Sequence, residues 1–131
     1  MNTKLDKILA EVSAGELIDK ITILEIKKEK IQNPDKLKEI IKELSSLSST
    51  MIKLIPDISK VEKLKSTLKE INLKLWDIED GKRSAEKDKD FGEKFINLAR
   101  NVYKFNDERA KIKLSINNIL GSNIKEVKSY E

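Results

Sequence analysis

The longest helical pattern in this sequence covers residues 91–120, and it limits the possible folds more than any other feature does. At about 100° per residue, apolar side chains converge on one face of that helix. They are Phe95, Leu98, Ala99, Val102, Ile116 and Leu120. The middle of the same face carries four polar side chains, which we call the polar row and define as Asn106, Arg109, Lys113 and Asn117. Since a plain core helix would have Leu or Ile there, the polar row is the first candidate for a functional site.

Three further stretches have helical spacing and clear ends. Proline ends one of them and begins the next, because it is excluded from a helix interior but favoured in the first turn. Two begin with capping boxes, in which a Ser and the Glu three residues later satisfy each other's backbone amides. The three predicted helices cover residues 13 to about 32, 34 to about 55, and 59 to about 80 or beyond, with capping boxes at residues 13–16 and 59–62.

Polar segments set the remaining boundaries. Residues 81–90 contain the only stretch polar enough to connect the third and fourth helices, and Asp90 is a candidate cap for the fourth. Gly121 predicts a firm end to that helix, since glycine adopts the left-handed conformation at low cost. Residues 121–131 then form a tail whose apolar side chains favour docking onto the bundle, namely Ile124, Val127 and Tyr130. Residues 1–12 fit either a short helix or an extended segment.

Composition agrees with long solvated helices in a single domain. The chain has 131 residues, of which 38% are apolar and 38% charged, with only four Gly and two Pro. That length supports one core and is too short for two domains. Short connections make consecutive long helices antiparallel neighbours. The sequence therefore predicts one all-α domain over residues 1–131, an antiparallel bundle of about four helices.

The absence of Cys and His removes most catalytic and metal-binding chemistry. Disulfides, thiolate nucleophiles and Cys-based metal sites are excluded, and the commonest acid–base group and metal ligand is missing. The net charge of +4 is too small, and too diluted by acids, for a nucleic-acid footprint. No apolar run approaches the roughly 20 residues of a membrane span or the core of a signal peptide. We therefore expect a soluble cytoplasmic protein with no cofactor, no metal and no nucleic-acid partner.

A second polar group lies on the third predicted helix. Asn72 and Glu79 are two turns apart on the edge of its apolar stripe, and Trp76 flanks them. A carboxylate close to a core needs a partner to offset its desolvation, and Arg83, four residues beyond Glu79, is the nearest. If the third and fourth helices are antiparallel neighbours, this edge is brought towards the polar row.

The first predicted helix carries a further candidate, Lys28. It lies within an apolar stripe, so its ammonium either reaches solvent over an apolar stem or joins a cationic site with the polar row. The same helix has Ile23 and Ile26 on another side, and apolar groups on two sides imply two sets of neighbours. Four helices either wrap this one completely or leave one side for another subunit, so self-association or a protein partner is open.

Several blocks of the sequence resemble a family of small bacterial helical proteins known as a domain of unknown function. The resemblance spans nearly the whole chain from Ser13, and it leaves out the first ten residues and the Ser-rich second helix. The blocks are SAGELIDKITILEIK at residues 13–27, LWDIED at 75–80, FINLAR at 95–100, VY at 102–103, NDERA at 106–110, and LGS followed by KSY at 120–122 and 128–130. The resemblance implies no activity, but it suggests a link to the synthesis of bacterial surface polysaccharides.

Two classes of function follow from these observations. In the first, the protein is a non-catalytic interaction or accessory module, and the polar row is an internal network or a contact for a partner. In the second, Arg109, Lys113 and Lys28 bind a small anion such as a sugar phosphate or carboxylate, as a binding protein or an enzyme, and Glu79 or Asp107 orients it. Arginine suits such a site because its planar fork engages two oxygens at once. The sequence favours the first class.

Overall fold

The computed structural model describes residues 4–128, and its regular structure is entirely helical over that range. Four α-helices and one short 3-10 turn make up the fold, so the predicted all-α class is confirmed. The helices are α1 (Ala14–Lys30), α2 (Pro34–Leu54), α3 (Glu62–Lys87) and α4 (Glu93–Leu120), and the turn is Ile58–Val61. Helices α3 and α4 form a hairpin joined by residues 88–92.

Helix α1 is the centre of the bundle, because it packs against each of the other three helices. Its apolar side chains are buried on more than one side, including Ile18, Ile21 and Ile26. Ile18 lies in a core cluster with Val61, Leu68 and Ile116. The two apolar sides of α1 are therefore covered within one chain, and they do not require a second subunit.

The helix ends agree with the sequence at α1, α2 and the end of α4. The Ser13 hydroxyl accepts a hydrogen bond from the Glu16 amide at 3.1 Å, which is one half of the predicted capping box, while the Glu16 carboxylate contacts Lys113 instead. Asn33 caps α2, with Pro34 as its first residue. Gly121 ends α4 in the left-handed conformation, with φ of 65°. Capping and proline signals act within a few residues, which is why sequence alone locates these ends.

Two predicted caps are wrong. The box at residues 59–62 does not form, because Asp57 accepts from the Ser59 amide at 3.2 Å and starts the 3-10 turn that precedes α3. Asp90 does not cap α4 either: its carboxylate accepts from the Gly92 amide at 3.2 Å, and Gly92 is the N-cap residue. In both places a local turn captures the side chain before the helix begins.

The predicted loop at residues 81–90 is also too long. Helix α3 continues through its polar part as far as Lys87. Lys, Arg, Glu and Ala are good helix formers, so a charged stretch need not be a loop. The Glu93 start places Phe91 outside α4, where its ring packs edge to face on Phe95 with centroids 5.4 Å apart.

Both ends of the described chain are irregular. Residues 4–12 form neither helix nor strand. In the tail, Ile124 and Val127 are exposed, so the prediction that they dock through apolar contacts is wrong for these two; Tyr130 lies outside the described residues. Polar contacts hold the tail instead, as described below. Within residues 4–128, none of the helices has an apolar stretch long enough to cross a membrane.

Candidate functional site

The centre of the site is a buried carboxylate on α1 that the sequence analysis did not select. Asp19 is 0% exposed. Arg109 of α4 donates to it with two hydrogen bonds, from Nε to Oδ1 at 3.0 Å and from Nη2 to Oδ2 at 2.5 Å. These bonds raise the pKa of Arg109 above its ordinary value; burial opposes the shift, and the negative charge of Asp19 adds to it. The pair is a bidentate, charge-assisted contact between α1 and α4.

Helix α3 joins the same pair through Asn72. The Asn72 Nδ2 group donates to Asp19 Oδ1 and to Thr22 Oγ1, both at 2.9 Å. The Thr22 hydroxyl in turn donates to the Asp19 carbonyl oxygen at 2.7 Å. Among residues 4–128, every fully buried side-chain nitrogen or oxygen has a hydrogen-bond partner. A single buried network therefore ties α1, α3 and α4 together.

One turn further along α4, Lys113 forms a second ion pair with α1. Its Nζ lies 2.5 Å from Glu16 Oε2 and 3.5 Å from Glu126 Oε1 of the tail. Its side chain is only 9% exposed. Lys128 and Lys113 lower the pKa of Glu126 below its ordinary value, the Lys128 hydrogen bond being the larger cause, while burial opposes the shift. Lys113 thus links α4 by ion pairs both to the first turn of α1 and to the tail.

Asn117, one turn beyond Lys113, contacts the backbone of α1. Its Oδ1 accepts a hydrogen bond from the Gly15 amide at 2.6 Å. Glycine is required there by close approach, because a Cβ atom on residue 15 would collide with the Lys113 carbonyl oxygen and with Asn117 Oδ1. Ser122 Oγ accepts from the Ala14 amide at 3.0 Å. The end of α4 therefore supplies acceptors for amides that the start of a helix leaves without intrahelical partners.

Three of the four residues of the polar row thus contact α1. Arg109, Lys113 and Asn117 are spaced by four residues, and they reach Asp19, Glu16 and Gly15 in turn. Asn106, the first residue of the row, lines a polar groove of about 410 Å³ with Arg109 and Lys113. The acidic partners were missed because helical spacing identifies a face but not the helix that packs on it. One signal was present: Gly15, Asp19 and Thr22 share a face of α1 that is small and polar.

Five candidates from α3 and α4 line one groove, which we call the Trp76 groove. It has a volume of about 330 Å³, and α1 contributes Ile23, Ile26 and Lys27 to its wall. The five candidates are Asn72, Trp76, Glu79, Arg83 and Arg109. Glu79 does not pair with Arg83 as expected, since Lys82 Nζ lies 3.4 Å from its Oε1. Glu79 and Arg83 are both exposed, so neither side chain loses enough hydration to require an ion-pair partner.

The two remaining candidates lie elsewhere. Asp107 lines a groove of about 490 Å³ between α4 and the tail, together with Leu114 and Val127. Lys28 is exposed and takes no part in the ion pairs of Arg109 and Lys113. The structure therefore does not gather Lys28, Arg109 and Lys113 into one cationic cluster.

Comparison with known proteins gives a family but no activity. A family model described as a family of unknown function, DUF6165, matches residues 8–131. Neither the curated proteins nor the solved structures provide a match. The residues that this family model matches include the polar network, the Trp76 groove and all four helices. On this match, the chain belongs to the family of unknown function DUF6165.

Proposed function

We propose that this chain is a non-catalytic interaction or accessory module, in which the polar row is an internal network that holds α1 in the bundle. One observation carries the proposal: both cations of the row lie 2.5 Å from carboxylate oxygens of α1. An anion that bound either cation through these same donors would have to displace its carboxylate partner. Burying charge is favourable only when the charges are paired and hydrogen-bonded, and this arrangement satisfies that requirement.

The surroundings of the network also favour architecture over catalysis. Apart from Thr22 within the network, two hydroxyl groups near the start of α1 have backbone partners: Ser13 Oγ caps α1, and Ser122 Oγ contacts the Ala14 amide and the Ile124 carbonyl oxygen. A serine nucleophile needs an adjacent base, and the contacts of these two hydroxyls are with backbone groups. The chain has no His that could act as such a base. The suggested link to surface-polysaccharide synthesis comes from the family resemblance alone.

A second function, binding of a small anion, is supported by the Trp76 groove. The Arg109 side chain is 29% exposed. Arginine has five N–H donors, the Asp19 pair uses two of them, and Arg109 is among the residues that line the groove. Arg83 and Lys27 add positive charge to the wall, Glu79 and Asp80 add negative charge, and Trp76 adds an apolar surface. A carboxylate or a sugar phosphate has the chemistry to bind there, with Glu79 placed to orient a hydroxyl group.

A melting-temperature screen separates the two functions. The wild type is screened against phosphorylated sugars, nucleotides and small carboxylates, beside Arg83→Ala at the groove and Lys28→Ala as a matched exposed cation outside it. The interaction module predicts no stabilisation by any of these compounds. A rise of several degrees for one compound class, kept in Lys28→Ala and lost in Arg83→Ala, would replace the first proposal with the second.

A further inference from the structure

An irregular segment at the start of the described chain carries apolar side chains that the bundle does not cover. We call residues 4–12 the arm. Its apolar residues are strongly exposed: Leu5 75%, Ile8 83%, Leu9 87% and Val12 44%. Their spacing, three, four and seven residues from Leu5, is that of one face of an amphipathic helix, although the segment is not helical. A segment with this pattern that has no surface to pack on is expected to fold into a helix when its apolar face binds a groove.

An apolar groove lies directly beside the base of the arm. This end groove has a volume of about 540 Å³ and is formed by the base of the arm and the ends of α2 and α4. Val12, Leu54 and Ile119 line it, and their exposed fractions are 44%, 68% and 49%. The base of the arm is fixed at the rim, because Asn123 Nδ2 donates to Glu11 Oε2 at 2.5 Å. The remainder of the arm leads from this anchored point without covering the groove.

We propose that the arm of one copy docks in the end groove of a second copy, and that the second copy's arm does the same in return. The inference rests on the proposed function, since it names the partner of the interaction module. The arm and the groove lie at the same end of the molecule. Two copies that meet end to end therefore exchange both arms at once and form a closed two-fold dimer, whereas groove and arm at opposite ends would build a filament.

Size and charge both support a second copy as the occupant. Without the buried Ser13 and Leu17, the arm and the groove lining together comprise 21 residues on each copy, which is at the lower end of the roughly 20 to 30 residues a side of a stable interface. The arm's two Lys are balanced by Asp6 and Glu11, and in the groove Asp57 is balanced by Lys60. Neither surface carries a net charge that would repel its copy.

The direct test is the molar mass of the protein in solution. Light scattering coupled to size exclusion, over a wide range of protein concentrations, is expected to give a dimer for the wild type. The double variant Ile8→Lys, Leu9→Lys is expected to be a monomer with an unchanged helical circular dichroism spectrum. The matched control is Tyr103→Lys, an exposed aromatic side chain on α4 outside both surfaces, which keeps the dimer. A monomeric wild type, or a dimer that persists in the double variant, overturns arm exchange.

Cross-linking tests the geometry of the exchange. The chain has no Cys, so single cysteines can be introduced without background. Equal amounts of Leu9→Cys and Leu54→Cys protein are mixed and treated with a short bis-maleimide, and a covalent heterodimer is expected. Replacing Leu54→Cys by Tyr103→Cys is expected to abolish it, and equal yields from both pairs would overturn the proposal. Molar mass and cross-linking test arm exchange, whereas the melting-temperature screen tests the proposed function. A failure of one can therefore be distinguished from a failure of the other.

Discussion

The guanidinium of Arg109 lies against the fully buried carboxylate of Asp19, and the two bonds between them are 3.0 and 2.5 Å long. The pair is unequal in its access to water, because the Arg109 side chain is 29% exposed and Asp19 is not exposed at all. Removal of the arginine leaves a charge inside the protein. Removal of the aspartate leaves a cation that can turn towards the Trp76 groove and its solvent.

Because each charge is the other's partner, the two residues should be strongly coupled. The variants Arg109→Met and Asp19→Leu, made singly, are each expected to destabilise the fold, whereas the double variant should lose less than the sum. The expected coupling free energy is about 2 kcal/mol, because apolar pairs often replace buried ion pairs at little cost. Urea unfolding of all four proteins measures it. Additive losses would mean that the two side chains do not depend on each other.

The close approach of α1 to α4 at Gly15 predicts that replacing two glycines by alanine changes the free energy of unfolding in opposite directions. Gly15→Ala should lower the free energy of unfolding by about 1 to 3 kcal/mol, since its Cβ would strike the Lys113 backbone. Gly81→Ala is the control: its Cβ meets the flexible end of Leu98 at 3.2 Å, and alanine favours the helix by roughly 1 kcal/mol. Chemical denaturation of both variants tests the difference. Equal effects would show that no tight contact exists at residue 15.

The tail predicts a dependence on acid pH. The folded-state pKa of Glu126 lies below its ordinary value of 4.5, chiefly because Lys128 donates a hydrogen bond to it. A carboxyl group with a lowered folded pKa stabilises the tail contact above its unfolded pKa, and that contribution is lost as the pH falls through the folded pKa. Amide NMR signals of residues 123–127 should therefore shift towards unstructured values below about pH 4.

Glu126→Gln provides the control for that titration, because an amide does not ionise in this range. Its tail signals are expected to be independent of pH between neutral and acid conditions. A wild-type tail whose signals do not move on acidification would contradict the ion pairs of Glu126.

Sequence patterns predict the helices and the face that carries the polar row, but they do not identify the α1 residues with which the row pairs. Helical spacing placed Arg109, Lys113 and Asn117 on one face, and the structure turns that face to α1. It could not show that Asp19 and Glu16 lie opposite, since both resemble ordinary surface acids among the charged residues of α1. Which helices touch depends on packing between distant segments, and periodicity within one helix does not carry that information.

The wrong predictions of helix caps and boundaries have a different cause. At Ser59 and Asp90 the sequence offers more than one local hydrogen-bonding solution, and the structure uses a turn at each. At residues 81–87 polarity alone predicts a loop, but Lys, Arg, Glu and Ala have high helix propensity and extend α3 to Lys87. Ends marked by proline or by a left-handed glycine were located correctly, because few alternatives exist at such residues.

The free energy of unfolding of Arg109→Ala tests the central claim, that the polar row is an internal network, most directly. The measurement is made by urea denaturation beside Lys28→Ala, which removes an exposed cation of the same chain. The network predicts a loss of about 3 kcal/mol for Arg109→Ala, because Asp19 is left buried without its partner, and almost no change for Lys28→Ala. Unchanged or increased stability in Arg109→Ala would contradict the claim and indicate that Arg109 is kept for a ligand.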